Sequence, residues 1–351
     1  MGDAIRWETP VTGAGGAKGA LASRGAVWTA RTVRDDRSVR VVCAVGDDFG
    51  RRWSDVGTIV AAEPGADLGD GCLLENGRRE WWYAFRDHRL GTGTPRFSIR
   101  VARSLDAGRT WEPHSTVATS SGARRGLWSP SLWRIPDGRI LCLHDDEDTP
   151  FAGGFPGHQW LVAREWKPAE GKWSEPAVAS RAHDPKHLSR DGMGSLVAFD
   201  NRRFMATLES VSTDPTHASV VRLVTSNDGG RTWSWSREER GIVHAALRPG
   251  HSAYAPWTTR LPDGSLACVF TSNEAQPVPD APATPAHRLH GDVMVRISSN
   301  RGASWGETTL AYRGGGRNYM PQLISLGKGR VALLLLDFAL DTFVCVPGRM
   351  E

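Results

Sequence analysis

Cysteine is scarce in this sequence and nowhere paired. The five residues Cys43, Cys72, Cys142, Cys268 and Cys345 stand far apart, with no Cys-x-x-Cys pair. A disulfide framework and a zinc site are therefore not expected. All but Cys72 sit in apolar, strand-like runs, where a reduced cysteine serves as a small core residue. Long hydrophobic runs are also missing. The longest, residues 331–336, has the length of a strand and not of a membrane span. Residues 1–7 hold no apolar stretch and no signal-peptide pattern. The sequence as it stands reads as cytoplasmic, or as secreted if a signal has been removed. Charge of one sign is weak: the net charge is +4 over 351 residues, and no basic run stands out. Nucleic acid and membrane are accordingly not expected partners, and no cofactor or metal motif is visible. A monomer or weak oligomer is the expected state.

What is abundant is glycine (39), proline (21) and tryptophan (15, against 4 tyrosines), which points to many tight turns. Two markers recur. One is a turn ending in tryptophan: Ser104-Leu-Asp106-Ala-Gly108-Arg-Thr110-Trp111 and Ser226-Asn-Asp228-Gly-Gly230-Arg-Thr232-Trp233 nearly coincide. Weaker copies end at Trp53, Trp173 and Trp305, giving tryptophan spacings of 58, 62, 60 and 72. The other is a hairpin turn at Asn76-Gly77, Asp137-Gly138, Asp200-Asn201, Asp263-Gly264 and Lys328-Gly329, spaced by 61, 63, 63 and 65. Asn-Gly and Asp-Gly suit two-residue hairpins because both central positions tolerate φ > 0. Two markers with one period of about sixty residues predict four short strands per unit. In the fourth unit these fall near 195–200, 203–209 and 219–225, with a short strand after Trp233. Such units imply an all-β, six-bladed β-propeller spanning residues 1–351. The last unit lacks a fourth strand, and Ile5-Arg6-Trp7 can supply it and close the ring.

Strand polarity then separates two faces. With strands A to D counted outward, the hairpins join A to B and the tryptophan turns join C to D, so both lie on one face. The opposite face carries the B–C loops and the D–A connections, and a pocket at the axis draws on those. Acids recur there at Glu147, Glu209, Glu274 and Asp337. Glu209 is the sharpest, because it ends the apolar run 204–208, where a surface acid has no structural need. Glu147 lies in an acidic loop whose plain reading is solvated charge. Asp145, Asp146 and Asp148 match no standard cation loop. Asp70, Arg86 and Tyr254 fall on the same face. Trp81, Trp82, Trp128 and Trp257 are candidates to stack on sugar rings. Two carboxylates facing one pocket are the equipment of glycoside cleavage, one to donate a proton and one to attack or to activate water.

The tryptophan turns match the Asp box of the sialidase superfamily, a structural motif in which the Asp accepts N–H groups of its own turn. Several longer stretches resemble glycoside hydrolase family 93, exo-acting arabinanases on a six-bladed sialidase-like propeller. They are Asp67-Leu-Gly-Asp-Gly-Cys-Leu-Leu-Glu75, Pro136-Asp-Gly-Arg-Ile-Leu-Cys-Leu-His-Asp-Asp-Glu147-Asp148-Thr-Pro150, Gln159-Trp160, Arg190-Asp-Gly-Met193 and Glu209. The resemblance covers roughly residues 65–340 and is stronger in blades two to four. It implies a retaining glycosidase that releases sugar from the end of an arabinose-containing oligosaccharide or glycoside. Carried over, Glu147 is the acid/base, Glu209 the nucleophile, Tyr319 the last-blade tyrosine beside it, and Arg190, Asp191 and Glu274 substrate contacts. A sialidase proper is less expected, since Arg-Ile-Pro occurs only at 134–136, in a hairpin of blade three. Two alternatives use the same scaffold: a non-catalytic carbohydrate-binding propeller, and an intracellular tailoring enzyme.

Overall fold

The computed structural model describes residues 5–13, 15–47, 50, 52–91, 93–122, 125–181, 188–212, 219–235, 240–247, 250–275 and 291–351. The strands form six antiparallel sheets arranged as blades of a propeller, as the period implied. Blade two is the plainest: Ala66–Glu75, Trp81–Arg89, Arg96–Ser104 and Glu112–Ser121. The inner strands of blades three to six are Leu127–Arg134, Ser189–Ala198, Ala253–Arg260 and Asn318–Gly327. Blade one begins with an inner strand of only three residues, Leu21–Ser23. The second strands of blades three and five are covered on both faces: all seven residues of Ile140–Asp146 and of Leu266–Ser272 are buried.

Apolar wedges between neighbouring blades make the core. Between blades three and four, Leu141, Leu143 and Leu161 meet Phe204, Leu208 and Trp233. Trp233 belongs to a repeated turn, and its Nε1–H donates to Gly230 O at 3.0 Å, which pins the ring into the wedge. In the same turn Asp228 accepts the N–H groups of Arg231 and Thr232, each at 3.0 Å, and two hydroxyls. Asp106 repeats this set in blade two. In blade five Asn300 stands in, accepting Ser304 N–H at 2.9 Å. In the weak copy at 48–53, Asp48, Phe49 and Arg51 lie outside the described residues.

Chain ends meet in blade six. Ile5–Trp7 pairs antiparallel with Thr342–Met350, Ile5 opposite Met350 and Trp7 opposite Gly348. The seam between blades six and one is then clasped near the axis. Buried Gln322 accepts Ala20 N–H at 2.7 Å and donates to Ala20 O at 2.8 Å. One expected boundary is different. The inner strand of blade four starts at Ser189 and not near 195, because it runs through a register slip between Gly192 and Ser195. A bulge breaks the two-residue alternation, so the half before it does not read as strand.

Two predictions follow from these bonds. Gln322→Ala strips two buried backbone groups of their partners and should lower stability by about 2 kcal/mol or more, read by urea unfolding. Asp106 has its pKa lowered to about 2, chiefly by the Thr110 N–H. A lowered folded pKa stabilises above the unfolded value of about 3.9 and loses that contribution as pH falls towards 2. The stability gap between wild type and Asp106→Ala should therefore shrink between pH 5 and pH 2.

Candidate active site

Five inner strands share one local distortion. Each slips register, and each places a non-glycine residue in the left-handed region there: Asp70 (φ 50), Ser129 (48), Met193 (55), Ala255 (50) and Met320 (51). Such a conformation costs about 1–3 kcal/mol and persists only when its surroundings impose it. At three of the five, acids of the preceding blade do so. Ser129 N–H donates to Asp70 Oδ2 at 3.0 Å, Met193 N–H to Asp145 Oδ1 at 2.9 Å, and Ala255 N–H to Glu209 Oε2 at 2.9 Å. Bulge and carboxylate thus fix each other, and three acids from blades two to four are held near the axis.

These groups open into a cavity of about 360 Å³. Blade two supplies Asp70 and Arg86, and blade three supplies Trp128, Ser129, Asp145 and Gln159. Blade four supplies Arg190, Met193, Glu209 and Val211, and blade six Tyr319 and Met320. Larger clefts of about 660 and 560 Å³ lie among the hairpin and Ser-x-Asp turns, but their carboxylates belong to turns and surface ion pairs. The axial cavity gathers the buried acids Asp145 and Glu209 from adjacent blades.

Electrostatics separate the acids. Burial would raise the Asp70 pKa, yet Lys18, Arg86 and Ser129 outweigh it and hold the carboxyl below its usual value. The Lys18 ammonium lies 3.6 Å from Asp70 Oδ1, with both side chains nearly inaccessible. Asp145 goes the other way. Burial, helped by the charges of Glu209 and Asp70, pushes it well above the usual carboxylate range against the pull of Lys18 and the Met193 amide. Asp145 is thus a carboxyl whose protonated form is favoured, next to Glu209. Gly192 makes room for it: a Cβ there would lie 2.5 Å from Asp145 Oδ2.

The other expected residues divide. Arg86 bonds Asp67 at 2.9 Å and Asp70 at 3.4 Å and lies 5.4 Å from the Trp128 ring. Trp128 is steadied from behind by His88, held neutral with a pKa of about 4 by burial, whose Nε2–H donates to Leu127 O. Tyr319 lines the cavity, and buried Tyr254 packs against it at 6.1 Å between centroids. Glu147 is buried beside Arg190 but does not line the cavity. The second strand ends at Asp146 and the chain turns into the helix Asp148–Ala152, whose N-cap is Glu147. Both its oxygens are engaged, one by Gly126 N–H at 2.7 Å and one by Arg190 Nη2 at 2.5 Å.

Asp191, Glu274 and Asp337 lie outside the cavity lining. Asp191 is ringed by Ser180, Ser189, Ser210 and Arg240. Glu274 accepts from His244, Ser272 and the Leu247 N–H and is lowered to about 2; burial opposes this, and the His244 bond leads the groups that overcome it. Asp337 caps the turn at Ala339 and bonds Tyr312. Trp82 sits in the wedge between blades two and three, with His114, Trp166 and Trp173 around it, so it stacks on protein and not on a ligand. Trp81 and Trp257 are likewise core, against Trp28 and Trp133. Asp146 caps the short helix through Asp148 and Thr149, and among the described residues no three ligating side chains converge on a metal position. Sequence reasoning undervalued Asp145. Counting from the hairpins leaves its register open by two residues. Only its pairing with Trp128, matching Glu209 with Gly192, shows that the two are equivalent.

The fold is a six-bladed β-propeller, the architecture of several solved structures. Solved structures similar to the chain include an α-L-arabinofuranosidase of glycoside hydrolase family 93 from Fusarium graminearum, in complex with arabinobiose (13% identity, TM-score 0.65, 98% of each chain covered). An α-L-arabinanase from Penicillium chrysogenum, also with arabinobiose, is similar at 16% identity and TM-score 0.65, again over 98% of each chain. A protein of unknown function from Dyadobacter fermentans matches at 15% identity and TM-score 0.70 over 99% of each. No protein-family model and no curated protein matches the sequence.

The Asp145 environment makes a stability prediction. A carboxyl raised in the folded state stabilises fully below its unfolded pKa, and that contribution is lost as pH rises through the folded value. Asp145→Asn removes this liability while its Oδ1 still accepts Met193 N–H. It should stabilise the protein by about 0.5–2 kcal/mol at pH 8 and by less at pH 4, read by thermal unfolding.

Proposed function

We propose that this protein is a retaining glycosidase that releases sugar from the end of an arabinose-containing chain or glycoside. The observation that carries the reading is the pair Asp145 and Glu209, on equivalent positions of adjacent blades, each anchored by a left-handed amide and both opening into one cavity. Glu209 is the nucleophile towards the anomeric carbon. The acid/base is the carboxyl that enters the cavity with a proton. The resemblance to family 93 gives that role to Glu147, but both oxygens of Glu147 are engaged, one by Gly126 N–H and one by Arg190 at the cavity wall. Asp145, buried and with its pKa pushed well up, is the better donor. It protonates the leaving oxygen as Glu209 attacks, then takes a proton from the water that cleaves the glycosyl-enzyme. Trp128 and Tyr319 offer ring faces to the sugar, and Arg86 and Arg190 offer donors to its hydroxyls. A carbohydrate-binding propeller would use the same walls but has no need of a protonated acid beside a second carboxyl.

The test uses arabinobiose and an aryl arabinofuranoside. Glu209→Gln should abolish turnover of both. Asp145→Asn should lose about 10²–10⁴ in rate on arabinobiose, whose leaving group needs a proton, and much less on the aryl substrate. Glu147→Gln should do neither, and the reverse pattern returns the acid/base role to Glu147. Binding of arabinobiose without turnover by wild type sinks the enzymatic reading, and near-normal hydrolysis by Glu209→Gln sinks its mechanism.

A further inference from the structure

The face opposite the axial cavity bears the hairpins and Ser-x-Asp turns, and neighbouring blades leave clefts between them. Two of these clefts are built from the same repeat positions, so their contents can be compared. The cleft between blades three and four is balanced in charge. It gathers Arg139, Arg164, Lys167, Arg202 and Arg231 against Asp137, Glu165, Glu175 and Asp228. Arg139 shows how the balance works. It pairs with Asp137 at 2.9 Å and Glu165 at 3.4 Å, and donates across the seam to Asn201 O at 2.6 Å.

The corresponding cleft between blades one and two, about 560 Å³, is not balanced. Arg24, Arg78, Arg79 and Arg109 line it, with one carboxylate, Asp106. That carboxylate is spent on its own turn, where it takes the hydroxyls of Ser104 and Thr110 and the N–H groups of Arg109 and Thr110. Where blade three offers acids, blade one offers Trp28 and Val56. Arg24 repeats the part of Arg139, donating across the seam to Arg78 O. The other three guanidiniums are exposed, and among the described residues no carboxylate pairs with any of the four. Like charges gathered at one cleft without acids repel one another, and a bound anion relieves that repulsion.

We propose that the cleft between blades one and two is a binding site for a phosphate or sulfate group. Guanidinium forks match the oxygens of such groups two at a time, more strongly than neutral donors do. The half-buried Trp28 ring forms an apolar wall for the body that carries the group. The site lies on the face away from Glu209 and does not depend on the glycosidase reading.

Calorimetric titration at constant ionic strength tests this, with inorganic phosphate and sulfate as separate probes against a chloride background. Saturable one-to-one binding of at least one probe is expected. The double variant Arg78→Ala/Arg79→Ala should weaken it about tenfold or more, the effect of losing charge-assisted bonds. Arg202→Ala, in the balanced cleft, and Glu209→Gln should leave it unchanged. The two probes tell which oxyanion the site prefers. Heat no larger than that of chloride, or equal binding by the double variant, overturns the proposal. These arginines lie in exposed turns, and circular dichroism melting of each variant confirms that a loss of binding is not a loss of fold.

Discussion

The bond between a left-handed backbone amide and the carboxylate of the preceding blade is the constraint on which the centre of this molecule turns. Ser129, Met193 and Ala255 each occupy a conformation that their side chains disfavour. Each is held there by an acid whose own position is set by that amide. Neither partner has a reason to be where it is without the other. The bulge ends the regular ladder and turns an N–H towards the axis. The acid satisfies that N–H and is left facing the cavity. A propeller repeats this arrangement at fixed angular steps, so a structural device becomes a ring of functional groups.

The same arrangement accounts for the difference between the acids. Asp70 has cations and a hydroxyl around it and remains a charge. At Asp145 burial, with the charges of Glu209 and Asp70, outweighs the pull of Lys18 and the Met193 amide and raises the carboxyl well above the usual range. Lys18, in the crossing from blade six to blade one, touches the balance on both. Two aspartates thus part ways through burial and neighbours, not through residue type. The left-handed residues and the enclosed carboxyl are both unfavourable for stability, as expected where binding and chemistry take precedence over packing.

The repeat also gives each departure from it a meaning. Asn300 in place of Asp keeps the turn, because an amide oxygen accepts the same N–H. Glu147 is two residues past the repeating acid position, and a helix begins there, so it serves as a tie between chain segments. In the cleft between blades one and two, Trp28 and Val56 stand where blade three offers acids, and the arginines there are left without carboxylate partners among the described residues.

The sequence by itself determined the propeller. Hairpin and tryptophan turns are local, their chemistry is set by adjacent residues, and a period of sixty residues survives any one eroded copy. Strand polarity then separated the two faces, and with them Glu209, Arg86, Trp128, Arg190 and Tyr319, which the structure brings to one cavity. Tertiary structure decided the rest. No local signal places Met193 or Ala255 at φ near +50, since neither is a glycine and the force that holds them comes from another blade. Nor does any local signal separate Asp145 from Glu147, two acids two residues apart in one acidic run. The end of the strand Ile140–Asp146 and the start of a short helix turn one to the axis and the other to Gly126, and burial among the acids of neighbouring blades raises the pKa of the first.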